Sequence, residues 1–233
     1  MIPLYDENPT RRRPVVTLAL IVANVAVFAF ELLLPQAGLT LDGFFSRAGL
    51  IPYELANRVD IPPSDLVPWW ATPLTSMFMH GGWLHIVFNM LFLWIFGNNV
   101  EDLMGRARFV AFYLLCGLAA AFTQVVVDVH STTPVIGASG AVAGVLGAYI
   151  VVWPRARVVT LLILGFFFPV VQMPAWILLG VWFLLQAVQG ALSVGGMTDV
   201  AYFAHIGGFA AGMMLVWAFA AGKLVRHRGG RRS

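Results

Sequence analysis

The sequence predicts an all-α polytopic membrane protein with six transmembrane helices. Hydrophobic residues occupy 60% of the 233 positions and charged residues only 11%, about half the charged fraction of a typical soluble domain. The apolar positions form runs close to the ~20 residues that a helix needs to cross a hydrocarbon core. Basic residues collect at alternate ends of these runs, as expected when they mark the cytoplasmic side.

Six apolar runs define the predicted membrane spans. They cover residues 14–34, 76–96, 109–127, 135–153, 175–192 and 200–221. One more apolar run, residues 158–168, is followed by Pro169 and Pro174. Because a helix of that length cannot cross the hydrocarbon core, we expect this run to be interfacial or re-entrant.

The distribution of basic residues gives the predicted orientation. Of the 14 Lys and Arg residues, only Arg47 and Arg58 fall on one side of a six-span arrangement. Since basic residues favour the cytoplasmic ends of spans, both termini are predicted to be cytoplasmic. The domain boundaries that follow are a cytoplasmic segment 1–13, a membrane domain 14–222 and a basic cytoplasmic tail 223–233. The first loop, 36–68, is expected to lie on the outer membrane surface.

Other features narrow the class of protein. The first span begins soon after three arginines, as expected of a retained anchor, and the lack of an amphipathic leader favours a plasma or inner cell membrane. Cys116 is the single cysteine, so neither a disulfide framework nor a Cys-based metal site is expected. Nucleic acid is not an expected partner, because the basic residues flank spans and form no patch with interleaved aromatics.

Several polar residues fall at one predicted depth. In a six-span topology the second, fourth and sixth spans all begin on the outer side. His80, His85 and Asn89 lie in the outer half of the second span, Ser139 near the start of the fourth, and His205 near the start of the sixth. Because intramembrane polar residues face a protein interior or a watery cavity, their shared level predicts one outward-opening site.

Small residues around two of these positions offer a structural explanation for them. The glycines are Gly137, Gly140, Gly144 and Gly147 in the fourth span, with Gly208 and Gly212 in the sixth. Such spacing is typical of close helix packing, and Ser139 alone would be read as a packing residue. Packing the fourth span against the sixth would, however, also bring Ser139 and His205 together.

That pair suffices for hydrolytic chemistry. A serine hydroxyl becomes a nucleophile when a neutral imidazole takes its proton, so Ser139 is the candidate nucleophile and His205 the candidate general base and acid. The backbone N–H of Ser139, with His85 and Asn89, could form an oxyanion hole. If Ser139 is left out of consideration, the presence of His85 and Asn89 is explained equally well by hydrogen bonding between helices.

Two other site chemistries are disfavoured. A metal site at His80, His85 and His205 would lack a carboxylate at that depth, and the first two histidines would point away from a common face. A Ser-His-Asp triad is not expected, because Glu31 is the only acidic residue within a predicted span. We therefore expect neither a metal nor another cofactor.

A set of motifs follows in order between about residue 69 and Gly212. They are His80-Gly81-Gly82-Trp83-Leu84-His85-Ile86-Val87-Phe88-Asn89, Glu101 with Gly105, Gly137-Ala138-Ser139-Gly140, and Ala204-His205-Ile206-Gly207-Gly208 with Gly212. In these motifs the chain resembles the rhomboid family of intramembrane serine proteases. The resemblance implies a six-helix core, a Ser139 nucleophile with a His205 base, and an oxyanion hole that includes His85 and Asn89. It also implies transmembrane helices as substrates, cut near their outer ends without a cofactor.

The sequence departs from the family pattern at two positions. Ala143 stands where the family often has an aromatic residue that packs under the imidazole, so His205 is expected to be less well oriented. Ala71 stands where many members have arginine after tryptophan, so the anchoring of the first loop is expected to differ.

Two other classes of function stay open at this point. One is a non-catalytic rhomboid-like protein that binds membrane helices, as a chaperone or quality-control factor would. The other is a transporter or channel. It is disfavoured because no inverted repeat is found and the polar cluster stops halfway, with apolar inner halves of the spans. The oligomeric state is left open.

Overall fold

The computed structural model describes residues 1–193 and 200–229. Its α-helices are α1 (Val15–Glu31), α2 (Leu41–Ala48), α3 (Pro52–Asn57), α4 (Thr72–Thr75), α5 (Trp83–Met104), α6 (Arg106–Val127), α7 (Ser139–Val152), α8 (Ala175–Ser193) and α9 (Tyr202–Gly229). Short 3-10 helices cover Leu34–Ala37 and Ser76–Phe78. Three strands are β1 (Ile2–Asp6), β2 (Arg157–Leu161) and β3 (Val170–Pro174).

Five helical segments in the described chain are long and apolar enough to cross a membrane. They are Val15–Ala37, Trp83–Met104, Arg106–Val127, Ala175–Leu192 and Tyr202–Ala220, and Ser139–Val152 is a shorter apolar helix. With that sixth helix counted, the predicted six-helix polytopic bundle is confirmed as the fold class. The last helix extends beyond the predicted span and includes part of the predicted tail, of which residues 230–233 lie outside the described residues.

The shorter helix, α7, lies at the centre of the bundle. Every residue from 140 to 149 is buried, and α7 contacts α5, α6, α8 and α9. Its 14 residues correspond to about 21 Å of helix, against about 30 Å of hydrocarbon core. The predicted span began at residue 135, but Gly137 adopts a positive φ of 120° that does not continue a helix. Ser139 is therefore the first residue of a central helix that is too short to cross the hydrocarbon core.

Glycines allow α7 and α9 to approach closely. A Cβ added at Gly208 would collide with the carbonyl oxygen of Gly140, and one added at Gly212 with the carbonyl oxygen of Gly144. The two backbones thus meet directly, as small-xxx-small spacing permits. This packing brings the first turn of α7 against the first turns of α9.

The second span is displaced from its predicted position. Residues 76–82 do not continue into α5, which begins at Trp83 after two glycines. His80 therefore precedes the helix instead of lying within it. The helix also reaches further than expected and includes Glu101, whose buried carboxylate accepts hydrogen bonds from Thr17 N–H and Thr17 Oγ1, both at 2.8 Å. Glu101 thereby caps the N-terminus of α1.

A three-stranded antiparallel sheet was not predicted. The apolar run 158–168 contributes β2 and the turn after it, β3 follows, and β1 pairs with β2 in the order β1-β2-β3. Val158, Val159 and Thr160 explain the strand, because β-branched side chains favour extended backbone. The run folds back on itself and does not cross the bundle.

The inner halves of the spans are not purely apolar, contrary to expectation. Asp6, at the end of β1, accepts hydrogen bonds from Asn99 Nδ2 at 2.9 Å and from Tyr149 Oη at 2.6 Å. Burial raises the pKa of Asp6 above its ordinary value. These polar groups satisfy one another and fasten the N-terminal strand to α5 and α7, so they serve packing.

Candidate active site

The first turns of α7 and α9 bring a serine and a histidine into contact. Ser139 is the first residue of α7, and His205 lies one turn into α9. The distance between Ser139 Oγ and His205 Nε2 is 2.8 Å, a normal hydrogen bond. Both side chains are partly exposed, so a substrate can reach them. The two residues therefore have the geometry of a nucleophile and its base.

The other nitrogen of the imidazole is also engaged. His205 Nδ1 lies 2.6 Å from Oε1 of Gln186 on α8. Because an amide oxygen only accepts hydrogen bonds, this contact requires a proton on Nδ1. The lone pair then lies on Nε2, directed at the hydroxyl of Ser139. Gln186 thus selects the tautomer in which His205 can act as a base.

Sequence reasoning missed Gln186. The available signal was a pair of polar amides, Gln186 and Gln189, in the otherwise apolar run 175–192, since polar residues within spans mark functional interiors. The partner of Gln186 could not be read from the sequence, because α8 and α9 come together only through the fold.

The aromatic contact to the imidazole comes from α8 and not from α7. Ala143 is fully buried and offers no ring at the position where the family often has one. The ring of Trp182 on α8 lies 6.0 Å from that of His205, centroid to centroid, at an interplanar angle of 36°. His205 therefore has two side-chain contacts with α8, in place of an aromatic contact from position 143.

The predicted oxyanion donors lie close to Ser139 and His205. Asn89 is 6% exposed, and its Nδ2 has no hydrogen-bond partner among the described residues. His85 lies so near Gly137 that a Cβ at Gly137 would be 2.6 Å from His85 Nε2. Ser139 N–H belongs to the first turn of α7 and has no intrahelical acceptor. Among the described residues neither His85 nor Asn89 forms a side-chain hydrogen bond to another helix, so the alternative of interhelical hydrogen-bonding groups is not found.

His80 has a different place. Its backbone N–H donates to the carboxylate of Glu31 at 3.2 Å and 3.3 Å to the two oxygens. Its ring packs edge-on against His85 with centroids 5.0 Å apart, and the side chain is 1% exposed. His80 therefore packs against the ring of His85. Among the described residues no candidate metal-binding group combines His80, His85 and His205.

A cavity of about 1230 Å³ opens onto these groups. Its lining includes Ser139, His205, His85, Asn89 and Gln186. The segment before Ser139 is held in place by two backbone hydrogen bonds between Leu50 and Val135, and by Gly137 N–H donating to Ser76 O at 2.8 Å. The first loop thus fixes the position at which α7 begins.

Comparison with known families adds to this geometry. Residues 68–222, more than half of the chain, match the family model described as Rhomboid domain. The chain belongs to the rhomboid family. The matched region runs from just before α4 into α9, so this rhomboid domain contains Ser139, His205 and the cavity between them. Together with its apolar helices, membership establishes a multi-pass membrane protein.

Three relatives illustrate the range of the rhomboid family. Rhomboid-like protein 11, chloroplastic, of Arabidopsis thaliana is 29% identical over 199 residues, covering 81% of this chain and 64% of the relative. Rhomboid protease GluP of Bacillus subtilis (strain 168) is 35% identical over 147 residues, 63% of this chain and 26% of the relative. Rhomboid protease AarA of Providencia stuartii is 26% identical over 148 residues, 58% of this chain and 50% of the relative.

This chain thus spans less than two thirds of each of these relatives. Their names include proteases and a rhomboid-like protein, and one relative is chloroplastic. Family membership therefore leaves the reaction and the host membrane of this chain to be inferred from its own residues.

Proposed function

We propose that this rhomboid protein is an intramembrane serine endopeptidase that cleaves a peptide bond in or near the outer end of a substrate transmembrane helix. The observation that carries the proposal is the 2.8 Å contact between Ser139 Oγ and His205 Nε2. Its position in a cavity also lined by His85 and Asn89 supports acyl transfer in particular, since that chemistry needs donors beside the nucleophile.

The reaction begins when Ser139 Oγ attacks the scissile carbonyl carbon and its proton moves to His205 Nε2. The oxyanion that forms accepts hydrogen bonds from Ser139 N–H, His85 and Asn89. As the C–N bond breaks, His205 returns the proton to the leaving amine, and an ester to Ser139 remains. A water molecule then loses a proton to His205 and attacks the ester, which releases the acid and restores the Ser139 hydroxyl.

Gln186 acts in this scheme as a positioning residue. Its amide oxygen holds Nδ1–H of His205 throughout, so Nε2 is free to exchange the proton. Unlike the aspartate of a triad, a neutral amide brings no negative charge to stabilise the imidazolium, so its contribution is orientation alone.

Loss of this contact is expected to lower kcat while leaving KM nearly unchanged. Gln186→Leu should lower kcat about tenfold, because the imidazole can then turn and adopt the unproductive tautomer. Gln186→Glu should retain most of the activity, since a carboxylate accepts the same hydrogen bond. Gln189→Leu is the matched control, because Gln189 lies on the same helix with an exposed side chain. A Gln186→Leu enzyme with unchanged kcat would refute the positioning role.

The position predicted for Ser139 within the membrane suggests which substrates are suitable. A helix in the membrane hides its backbone carbonyls in internal hydrogen bonds, so cleavage requires local unwinding. Helices weakened by Gly, Pro or polar residues near the cut are therefore the expected substrates. We place the cut near the outer side, in the plasma or inner membrane with both termini cytoplasmic, because the basic residues mark the opposite face.

The experiment that tests this function is co-reconstitution of the protein with a single-span substrate in liposomes, with the products mapped by mass spectrometry. A cut in the outer part of the substrate helix, absent without the protein, is the expected result. Substrate that binds but stays intact would contradict the peptidase and favour the non-catalytic helix-binding alternative.

A further inference from the structure

The first outer loop gathers three carboxylates away from the candidate active site. Glu54 belongs to α3, and Asp60 and Asp65 follow in the loop. One oxygen from each of the three carboxylates lies within 4.8 Å of the others. Oxygens that share one Ca²⁺ are separated by at most about 5 Å, given metal–oxygen distances of about 2.3–2.6 Å. The spacing therefore suits joint binding of one ion.

Unsatisfied atoms provide an independent observation. Glu54 is 1% exposed. Its Oε1 accepts Ile61 N–H at 3.0 Å, but its Oε2 is buried and has no hydrogen-bond partner among the described residues. Both carboxylate oxygens of Asp65 are also buried and accept no hydrogen bond from an N–H group of the described residues. Burying a carboxylate without a donor is costly unless a proton or a cation neutralises it.

The surrounding groups neutralise these carboxylates only in part. The carboxyl groups of Glu54 and Asp65 also contact each other. Arg47 offsets part of the charge at Asp65, and its Nε donates to the carbonyl oxygen of Ser64 at 2.8 Å. The backbone meanwhile keeps the acids together, since Asp65 N–H donates to Asp60 Oδ1 at 3.1 Å.

We propose that Glu54, Asp60 and Asp65 form a binding site for a divalent cation, with Ca²⁺ as the ion it suits best. Three carboxylates supply only oxygen ligands, and Ca²⁺ accepts six to eight oxygens in flexible arrangements, with water completing the shell. Mg²⁺ requires a stricter octahedron and binds such loops less readily. The proposal does not depend on Ser139 or His205.

Bound cation would stabilise the part of the loop that precedes the candidate active site. The N–H of Tyr53 on α3 donates to Ser131 O at 2.9 Å, and Leu50 pairs with Val135. Residues 131–135 lead directly to Gly137 and Ser139. An ion that holds α3 to the loop after it would therefore also stabilise the contacts between the first loop and residues 131–135.

The test is calcium titration of the full-length protein in detergent, followed by calorimetry and by the thermal unfolding midpoint. We expect a dissociation constant of about 10⁻⁴–10⁻³ M, as in extracellular calcium modules, and a midpoint that rises with Ca²⁺ more than with Mg²⁺. Asp60→Asn and Asp65→Asn should each weaken binding at least about tenfold. Glu54→Gln should do the same, and the exposed Asp60 keeps the test valid if that buried variant does not fold.

Asp42→Asn is the matched control, because Asp42 is an exposed carboxylate of the same loop outside the cluster. It should bind Ca²⁺ like the wild type. Absence of calcium-dependent heat and of a midpoint shift in the wild type would overturn the proposal. Equal weakening by Asp42→Asn would overturn it too, since binding would then reflect general surface charge.

Discussion

Replacing either Ser139 or His205 by alanine is expected to lower the rate of substrate cleavage by at least about 10³-fold. Ser139→Ala removes the proposed nucleophile, and His205→Ala removes the proposed base, whose Nε2 lies 2.8 Å from the Ser139 hydroxyl. The double variant should be no slower than either single variant, because the two residues act as a unit. The measurement is the initial cleavage rate in liposomes at equal protein content.

Surface variants of the same residue types provide the controls. Ser64→Ala and His130→Ala alter exposed side chains outside the cavity lining and should cleave at the wild-type rate. Equal cleavage by the wild type and by Ser139→Ala and His205→Ala would rule out the dyad.

The second large effect is expected at the oxyanion donors. Asn89→Ala and His85→Ala should each lower kcat about 10²-fold with little change in KM, because the donated bond strengthens only as the carbonyl oxygen becomes negative. Asn89 Nδ2 is buried and has no hydrogen-bond partner in the described part of the chain, which is consistent with a donor reserved for such a group. Steady-state kinetics on the same substrate measure both constants.

Asn57→Ala is a suitable control for Asn89, since Asn57 is exposed in the first loop. A rise in KM with kcat preserved would show that Asn89 binds the substrate in its ground state, and the oxyanion role would then be wrong.

The bundle was predictable because its signals are local. Apolar length identified the long helices, and the glycines of the fourth and sixth spans indicated that α7 and α9 pack together. The apolar runs begin before the helices α5 and α7 do. Apolar composition continues through the preceding residues, but the backbone at Gly82 and Gly137 is not helical, so the sequence predicts both starts too early. The sheet was missed since β2 is apolar like a span and its partner β1 lies at the other end of the chain.

Some residues of the candidate site were also predictable from the sequence, and others were not. Ser139, His205, His85 and Asn89 could be selected from depth and residue type, and the structure brings them to one cavity. The contacts of Gln186 and Trp182 with His205 could not be predicted, because they depend on how α8 packs against α9. The cluster of Glu54, Asp60 and Asp65 was equally hidden, since a loop rich in Asp and Pro does not reveal which carboxylates become buried.

The most direct test of the central claim is covalent labelling with a fluorophosphonate probe, with the modified residue identified by mass spectrometry. The probe reacts with a serine whose hydroxyl is activated by a base. We predict modification of wild-type protein at Ser139, none at this position in Ser139→Ala, and labelling slowed by at least about 10²-fold in His205→Ala. Two results would contradict an activated Ser139. One is wild-type protein that stays unmodified at Ser139, and the other is a His205→Ala variant that is labelled as fast as the wild type.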